Sequence, residues 1–379
     1  MAAVTTWQGA VSWAGSIQGR RLSLGIDTAM QPKVYTHTDL GLFITSSKSR
    51  AVFLMMPPMK LATPNGHSMP KTNNLDVFEQ RYDANFYETM AKIMALRQKY
   101  LQDRFIFVEG EDMVPILKGL GAKDADFELL KSITDQTGAD PTLEYRTASF
   151  GRYCIDFETR SIRRLEQQPY TLTVQEDYKR HDSAIQRTFP ETPTDMQENT
   201  VVQALMMCKA LVFQNVPITP RDRLDYSSQS WVCMMFNGRV FTDVSKGIFG
   251  EPALEGVHSD GSDHTMSVLL NCENMTPDSA VTFLHDNRET TGVPVSEVEP
   301  ALIKARVQHR HFLDTLIFVD HDYKHSVTSL HPLCPSSIAR RDVLVAFTRR
   351  PKVEGHISGY SDSMAHHTES PMQIPLWLP

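Results

Sequence analysis

The feature that most constrains the fold is a series of short strand-like segments after Pro220, each separated from the next by turn residues. Such segments lie near residues 230–236, 264–270, 280–285, 313–319, 324–330 and 342–348. Many short strands joined by turns are typical of sandwiches and barrels. The C-terminal half is therefore predicted to be a β-barrel-like core, with helices supplied mainly from upstream.

Upstream of this region the pattern is mainly helical. Between Asp76 and Asp103 apolar residues recur mostly three or four positions apart, which predicts a helix. Shorter helices are predicted over 112–119 and 125–134, and a short strand over Phe105–Val108.

Strand-like character begins at about residue 143, and one helix interrupts it over 195–212. Thr194 and Gln197 have the spacing of a capping box, in which two side chains satisfy free amides at a helix start. The predicted class is therefore α+β. Three parts are expected: an N-terminal, partly helical extension over 1–140, a core over 141–350 and a C-terminal tail over 351–379.

Composition argues against several classes of protein. The formal net charge is −7, whereas nucleic acids and anionic membrane surfaces favour a basic partner. No apolar stretch approaches the roughly 20 residues of a membrane span. The five cysteines are dispersed and form no Cys-x-x-Cys pair, which favours a reducing, cytoplasmic location over a disulfide framework or structural zinc. The first 26 residues faintly resemble a transit peptide, but an ordinary N-terminal segment is preferred.

His258 and Asp260 form a candidate metal-binding pair within the predicted core. They are two residues apart on an extended segment, so their side chains point to the same side. One imidazole and one carboxylate are two-thirds of the triad that holds non-haem iron and leaves coordination positions open. The chain has 14 histidines, however, and a lone pair of this kind also fits an ordinary polar loop.

The missing histidine must come from a distant strand, and two candidates are four residues apart. His321 stands between two aspartates, which is typical of a solvated turn, while His325 precedes Ser-Val-Thr. Farther on, Arg340 and Arg341 stand at the start of an apolar strand. An arginine there can hold a carboxylate through two parallel hydrogen bonds.

This order of motifs resembles the 2-oxoglutarate/iron dioxygenases that oxidise free amino acids, a family with a bacterial isoleucine hydroxylase and a fungal aziridine-forming valine oxygenase. The resemblance covers about residues 145–349. Its carriers are 146–153, 258–260, 283–287, 325–328 and 341–345. The chain departs from the family pattern at Ser329, where proline is usual, and it is longer at its N-terminus.

The resemblance implies a double-stranded β-helix, or jelly roll, with flanking helices. It implies Fe(II) held by His258, Asp260 and His325, with 2-oxoglutarate and O2 as the other reactants and no catalytic residue beyond the metal centre. Arg341 is expected to pair with the far carboxylate of 2-oxoglutarate, and Thr328 to add a hydroxyl to the same cosubstrate.

The implied substrate is a free aliphatic L-amino acid such as valine or isoleucine, oxidised by hydroxylation or by closure of an aziridine ring in fungal secondary metabolism. Arg146 and Arg152 are candidates for its carboxylate. Alternation along the strand that begins at Arg341 puts Val345 and Phe347 on the same face. Because they lie farther along the strand from the cosubstrate carboxylate, they are expected near the reacting carbon.

Two other functions remain open at this point. A non-enzymatic β-barrel binding protein would leave the distal histidine and Arg341 without a role. A hydroxylase of a larger peptide or secondary metabolite would use the same iron chemistry on a different substrate. The sequence leaves the oligomeric state open.

Overall fold

Strands form most of the regular structure in residues 75–379, the part of the chain that the computed structural model describes. In chain order they are β1 (Phe105–Val108), β2 (Gly138–Ala139), β3 (Arg146–Asp156), β4 (Ser161–Leu165), β5 (Ser230–Thr242), β6 (His264–Glu273), β7 (Thr282–Asp286), β8 (Ile303–Val307), β9 (Thr315–Val319), β10 (Tyr323–Val327), β11 (Ala339–Arg349) and β12 (Gln373–Pro375). All pair antiparallel.

The strands belong to two sheets. The large sheet has the order β1-β9-β6-β11-β5-β3-β4-β12, with β2 attached to β3, and the small sheet has the order β10-β7-β8. Leu284 of β7 packs against Leu316 and Phe318 of β9, so an apolar cluster joins the two sheets. Two antiparallel sheets packed in this way form the predicted jelly-roll core, and the predicted fold class is confirmed.

The helices cover the face of the large sheet that lies opposite the small sheet. They are α1 (Val77–Gln80), α2 (Ala84–Asp103), α3 (Gly110–Gly119), α4 (Asp124–Leu130), α5 (Thr194–Gln197) and α6 (Thr200–Phe213). Every residue of α6 is buried, because this helix lies beneath α2 in a core shared with β5, β6 and β11.

Alternation along β11 divides its side chains between two environments. Leu344 and Ala346 belong to the core shared with the helices. Arg341, Val345 and Phe347 face the opposite side, where they line a cavity between the sheets. The sheet thus separates the hydrophobic core shared with the helices from the cavity.

The helix predicted over 195–212 is interrupted. Thr194 lies inside the short α5, so it cannot cap α6, and the predicted capping box is wrong. Asn199 is the N-cap of α6, and its side chain accepts hydrogen bonds from the backbone N–H groups of Val201 (3.0 Å) and Val202 (3.3 Å). The helix predicted over 125–134 also ends early, at Leu130.

The boundaries expected at residues 140 and 350 are not domain boundaries. β1 pairs with β9 at the edge of the large sheet, and β12 pairs with β4 at the other. Residues 75–379 lie in a single compact unit because these segments complete the sheet. The part of the N-terminal extension before residue 75, including the faint transit-peptide pattern, lies outside the described residues.

All five cysteines are free thiols. In residues 75–379, no helix combines the length and apolar character needed to cross a bilayer. The cytoplasmic location stays a prediction.

Candidate active site

Backbone pairing holds two histidines side by side on the cavity wall. The N–H of His258 donates to the carbonyl of His325 at 2.9 Å, and the reverse hydrogen bond is 2.8 Å long. Because the two residues form an antiparallel bridge, their ring centroids lie only 4.1 Å apart. The local fold thus joins residues that are far apart in the sequence.

Asp260 completes this group. Its backbone N–H donates to the Asp320 carboxylate at 2.9 Å, and Gly261 makes the turn that follows, with φ of +60°. The Asp260 carboxylate oxygens lie 3.5 Å from Nε2 of His258 and 3.4 Å from Nε2 of His325. All three residues are buried, and their ligand atoms lie within 4.8 Å of one another. In residues 75–379, no other such cluster of three or more potential ligands occurs.

The unused atoms of this cluster fit a bound cation. Nδ1 of His258 is 2.9 Å from the Gly256 carbonyl, which leaves Nε2 for a metal. Nδ1 of His325 is 3.9 Å from the Asp320 carboxylate, so its Nε2 also faces the site. Oδ2 of Asp260 is buried without a hydrogen-bond partner. Metal-bound histidines usually direct the second nitrogen to a carbonyl or carboxylate, and two nitrogens with one carboxylate suit Fe(II).

Electrostatics distinguish the two histidines. Burial lowers the pKa of His258, but the carboxylates of Glu255 and Asp260 outweigh it and raise the value to about 9. Burial and the positive charge on His258 lower the pKa of His325 to about 3. Burial and the Asp260 carboxylate raise the pKa of Asp320 well above its usual range. Such opposed shifts are expected where charges are crowded in a dry site.

The histidines face a cavity of about 170 Å³. Arg341 lies on its wall and is buried, and its Nε has no hydrogen-bond partner in residues 75–379. Burial lowers the pKa of Arg341 to about 10. Arg340 points elsewhere and pairs with Glu273 at 3.0 Å, and His321 is outside the ligand cluster. A buried guanidinium without a partner suits an anionic ligand.

Thr328 and Arg152 do not reach this cavity, so the roles expected for them are withdrawn. The hydroxyl of Thr328 donates to the Asp278 carbonyl at 2.9 Å, and the side chain before it, Val327, lines the cavity instead. Arg152 lies six residues beyond Arg146 on β3, about 20 Å along the strand at roughly 3.3 Å per residue. There its guanidinium pairs with Asp362 at 2.9 Å.

Two cavity residues were missed by the sequence analysis. Arg187 is buried among the rings of Tyr170, Tyr178 and Phe189, with its guanidinium carbon 5.2–5.9 Å from their centroids. Glu255 has Oε1 3.1 Å from Nε2 of His258. Both lie in irregular segments, where alternation does not predict the direction of a side chain. The closeness of Glu255 to His258 in the sequence was the one available signal.

The chain belongs to the 2OG-Fe dioxygenase family, whose pattern matches residues 131–347. It is therefore an oxidoreductase that depends on Fe(II), 2-oxoglutarate and O2, as the sequence predicted, and the binding-protein alternative is wrong.

Two relatives share about half of their aligned residues with this chain. The bifunctional enzyme flvA of Aspergillus flavus is 52% identical over 305 residues, which are 80% of this chain and 37% of that enzyme. This chain thus corresponds to just over a third of that relative's length. The Fe(II)/(alpha)ketoglutarate-dependent dioxygenase TqaL is 44% identical with a TM-score of 0.68, covering 78% of this chain and 99% of TqaL.

A third solved structure, IDO from Bacillus thuringiensis, is 16% identical with a TM-score of 0.50. The alignment covers 69% of this chain and all of that one. At this identity the likeness concerns the fold alone.

Proposed function

We propose that this enzyme oxidises an unactivated C–H bond of a free aliphatic L-amino acid, valine- or isoleucine-like, by hydroxylation or by C–N ring closure. The observation that carries the proposal is the cavity, which is small, has an apolar wall at Val345 and Phe347, and carries charged side chains at other points. Its volume of about 170 Å³ lies below the roughly 300–1,000 Å³ of sites for drug-sized ligands. A small substrate is favoured over a peptide.

His258, Asp260 and His325 would hold the metal, and Arg341 would pair with the far carboxylate of 2-oxoglutarate. With Fe(II) and O2 present, this centre supplies the oxidising power for an aliphatic C–H bond while 2-oxoglutarate is converted to succinate and carbon dioxide. The buried wall excludes water, and Arg341 orients the cosubstrate.

The substrate carboxylate requires a second cation. Arg146 and Arg187 both line the cavity. Nε of Arg146 already donates to Asp140 at 2.7 Å, whereas Nε of Arg187 is buried without a hydrogen-bond partner. Arg187 also lies 3.6 Å from the Asp182 carboxylate, but through a terminal nitrogen, so its Nε stays available. We therefore favour Arg187 over Arg146 as the partner of the substrate carboxylate.

The substrate side chain would lie against Val345 and Phe347. These residues share the cavity face of β11 with Arg341, and both are partly exposed within the cavity. Apolar, branched and aromatic walls favour an aliphatic group over a charged one.

The similarity to an enzyme of Aspergillus flavus supports a role in fungal metabolism.

The test is an amino-acid panel. Purified enzyme is incubated with Fe(II), 2-oxoglutarate, ascorbate and each of the twenty amino acids, and the products are analysed by mass spectrometry. We expect valine or isoleucine to gain one oxygen atom or to lose two hydrogen atoms, with succinate formed alongside. If no amino acid is changed while a larger peptide or secondary metabolite is oxidised, the proposed substrate is wrong.

A further inference from the structure

We propose that Glu255 binds the amino group of the substrate. This inference rests on the proposed amino-acid substrate, because it assigns the residue that recognises the nitrogen of that molecule. It gives a role in specificity to a carboxylate on a wall that also holds arginines, histidines and apolar residues.

The position of Glu255 puts it beside the metal centre and outside it. The residue lines the cavity, and its Oε1 lies 3.1 Å from Nε2 of His258. It is not among the residues whose ligand atoms lie within 4.8 Å of one another, which are His258, Asp260 and His325. A group held by Glu255 would therefore lie next to the centre without replacing a metal ligand.

The Glu255 carboxylate has no strong ion pair once a metal occupies His258. Its side chain is only 8% exposed, and the basic side chains within 4 Å of it in residues 75–379 are His258 and Arg180. Arg180 is 3.9 Å away and is already engaged by Asp182, to which its Nε donates at 2.5 Å. When Nε2 of His258 serves as a metal ligand, that nitrogen has no hydrogen to donate. Oε1 then lines the cavity without a close protein donor, and an N–H group of a ligand can supply one.

The charges on the wall identify that donor as a cation. Arg146, Arg187 and Arg341 are the cations of the cavity lining, and apart from the triad member Asp260 the one carboxylate is Glu255. The arginines match the carboxylates of the cosubstrate and the substrate. An ammonium group matches Glu255, because it carries positive charge and three N–H donors.

A substrate cycle tests the assignment. Enzyme loaded with Mn(II), which prevents turnover, and with 2-oxoglutarate is titrated calorimetrically with L-valine, and 3-methylbutanoate is measured by displacement of valine. The second ligand keeps the carbon skeleton and carboxylate of valine but lacks the amino group. Glu255→Gln should weaken valine binding about 30-fold or more, the usual loss for a buried charged partner. Binding of 3-methylbutanoate should change less than about threefold, since no contact to it is lost.

Glu251→Gln is the matched control. Glu251 lies four residues earlier, accepts a hydrogen bond from Ser329 at 2.7 Å and does not line the cavity. Both ligands should bind this variant as they bind the wild type. Manganese content, measured by atomic absorption, should be unchanged in both variants.

Three results would overturn the inference. In the first, Glu255→Gln binds valine as tightly as the wild type. In the second, it weakens valine and 3-methylbutanoate equally, and in the third it loses manganese, which would make Glu255 part of the metal centre. If the wild type itself binds no aliphatic amino acid, the proposed substrate fails together with this inference, and that result is distinct from the other three.

Discussion

Single buried atoms without partners determine which ligands this site can accept. Oδ2 of Asp260 and Nε of Arg341 have no hydrogen-bond partner in residues 75–379. A buried polar atom in this condition destabilises the fold by about 1–3 kcal/mol, unless a ligand satisfies it. These two atoms therefore favour the proposed ligands, a cation at Asp260 and an anion at Arg341.

Replacing Arg341 with alanine should mainly affect the cosubstrate. Loss of a buried charged partner costs about 2–5 kcal/mol, so the KM for 2-oxoglutarate should rise about 30-fold or more, with a smaller change for the amino acid. Steady-state kinetics measure both constants. Arg340→Ala is the control, since Arg340 pairs with Glu273 outside the cavity. If the control shows the larger effect, the arginine has been assigned wrongly.

Metal affinity should depend on pH through His258. In the metal-free protein, nearby carboxylates raise its pKa to about 9, so Nε2 carries a proton at neutral pH. A metal binds only after that proton leaves, because both compete for one lone pair. From pH 7 to 8 the affinity for Mn(II) should therefore rise about tenfold, with one proton released per ion. Calorimetry in buffers of different ionisation enthalpy measures the affinity and the number of protons released. An affinity for Mn(II) that does not change between pH 7 and 8 would contradict the role of His258 as a metal ligand.

Among the elements, β11 contributes both a charged and an apolar part of the cavity wall. Arg341 lies near the start of the strand, and Phe347 lies six residues along the same face, among the rings of Tyr170 and Phe236. Under the proposed function, one strand would carry both the arginine for the cosubstrate carboxylate and the apolar wall for the substrate.

Phe347→Ala should enlarge the substrate end of the cavity. Longer or bulkier aliphatic amino acids should gain relative to valine, or the product ratio should change, while iron remains bound. One methylene in such a pocket is worth about 1–3 kcal/mol, so the shift should be graded. Competition assays with mixed amino acids measure the preference. An unchanged profile in a folded, iron-loaded variant would show that Phe347 lies away from the substrate.

The start of α6 offers a test of local structure. Asn199→Ala should lower the free energy of unfolding by about 1 kcal/mol, because two backbone N–H groups lose their acceptor. Thr194→Ala should change it much less, since Thr194 lies in α5 and its side chain caps no helix. Chemical denaturation gives both values. A larger loss of unfolding free energy in Thr194→Ala than in Asn199→Ala would support the capping box predicted from the sequence.

Across the whole molecule, the sequence predicted which residues share a face of a regular strand, but not where side chains of irregular segments point. Alternation predicted that Arg341, Val345 and Phe347 share a face, because a strand has a fixed period of two. Arg187 and Glu255 lie in segments without such a period. The role expected for Arg152 failed for another reason: Arg146 lines the cavity, but the cavity does not extend six residues along β3 to Arg152.

The large sheet also joins the N-terminal extension and the C-terminal tail, which the sequence analysis separated from the core. β1 and β12 come from the expected extension and tail, yet both complete the large sheet. Strand pairing between distant segments depends on tertiary contacts, which local patterns do not contain. The family pattern, which spans residues 131–347, likewise excludes both strands.

The most direct test of this account is the formation of succinate from 2-oxoglutarate with L-valine or L-isoleucine present, in the wild type and in His258→Ala and Asp260→Ala. The wild type should form about one succinate per oxidised amino acid, and both variants should lose iron binding and succinate formation, because each removes one of three metal ligands. His321→Ala, which alters a histidine outside the cluster, should retain iron. Succinate formation at the wild-type rate in either triad variant would contradict the assignment of His258 and Asp260 as metal ligands.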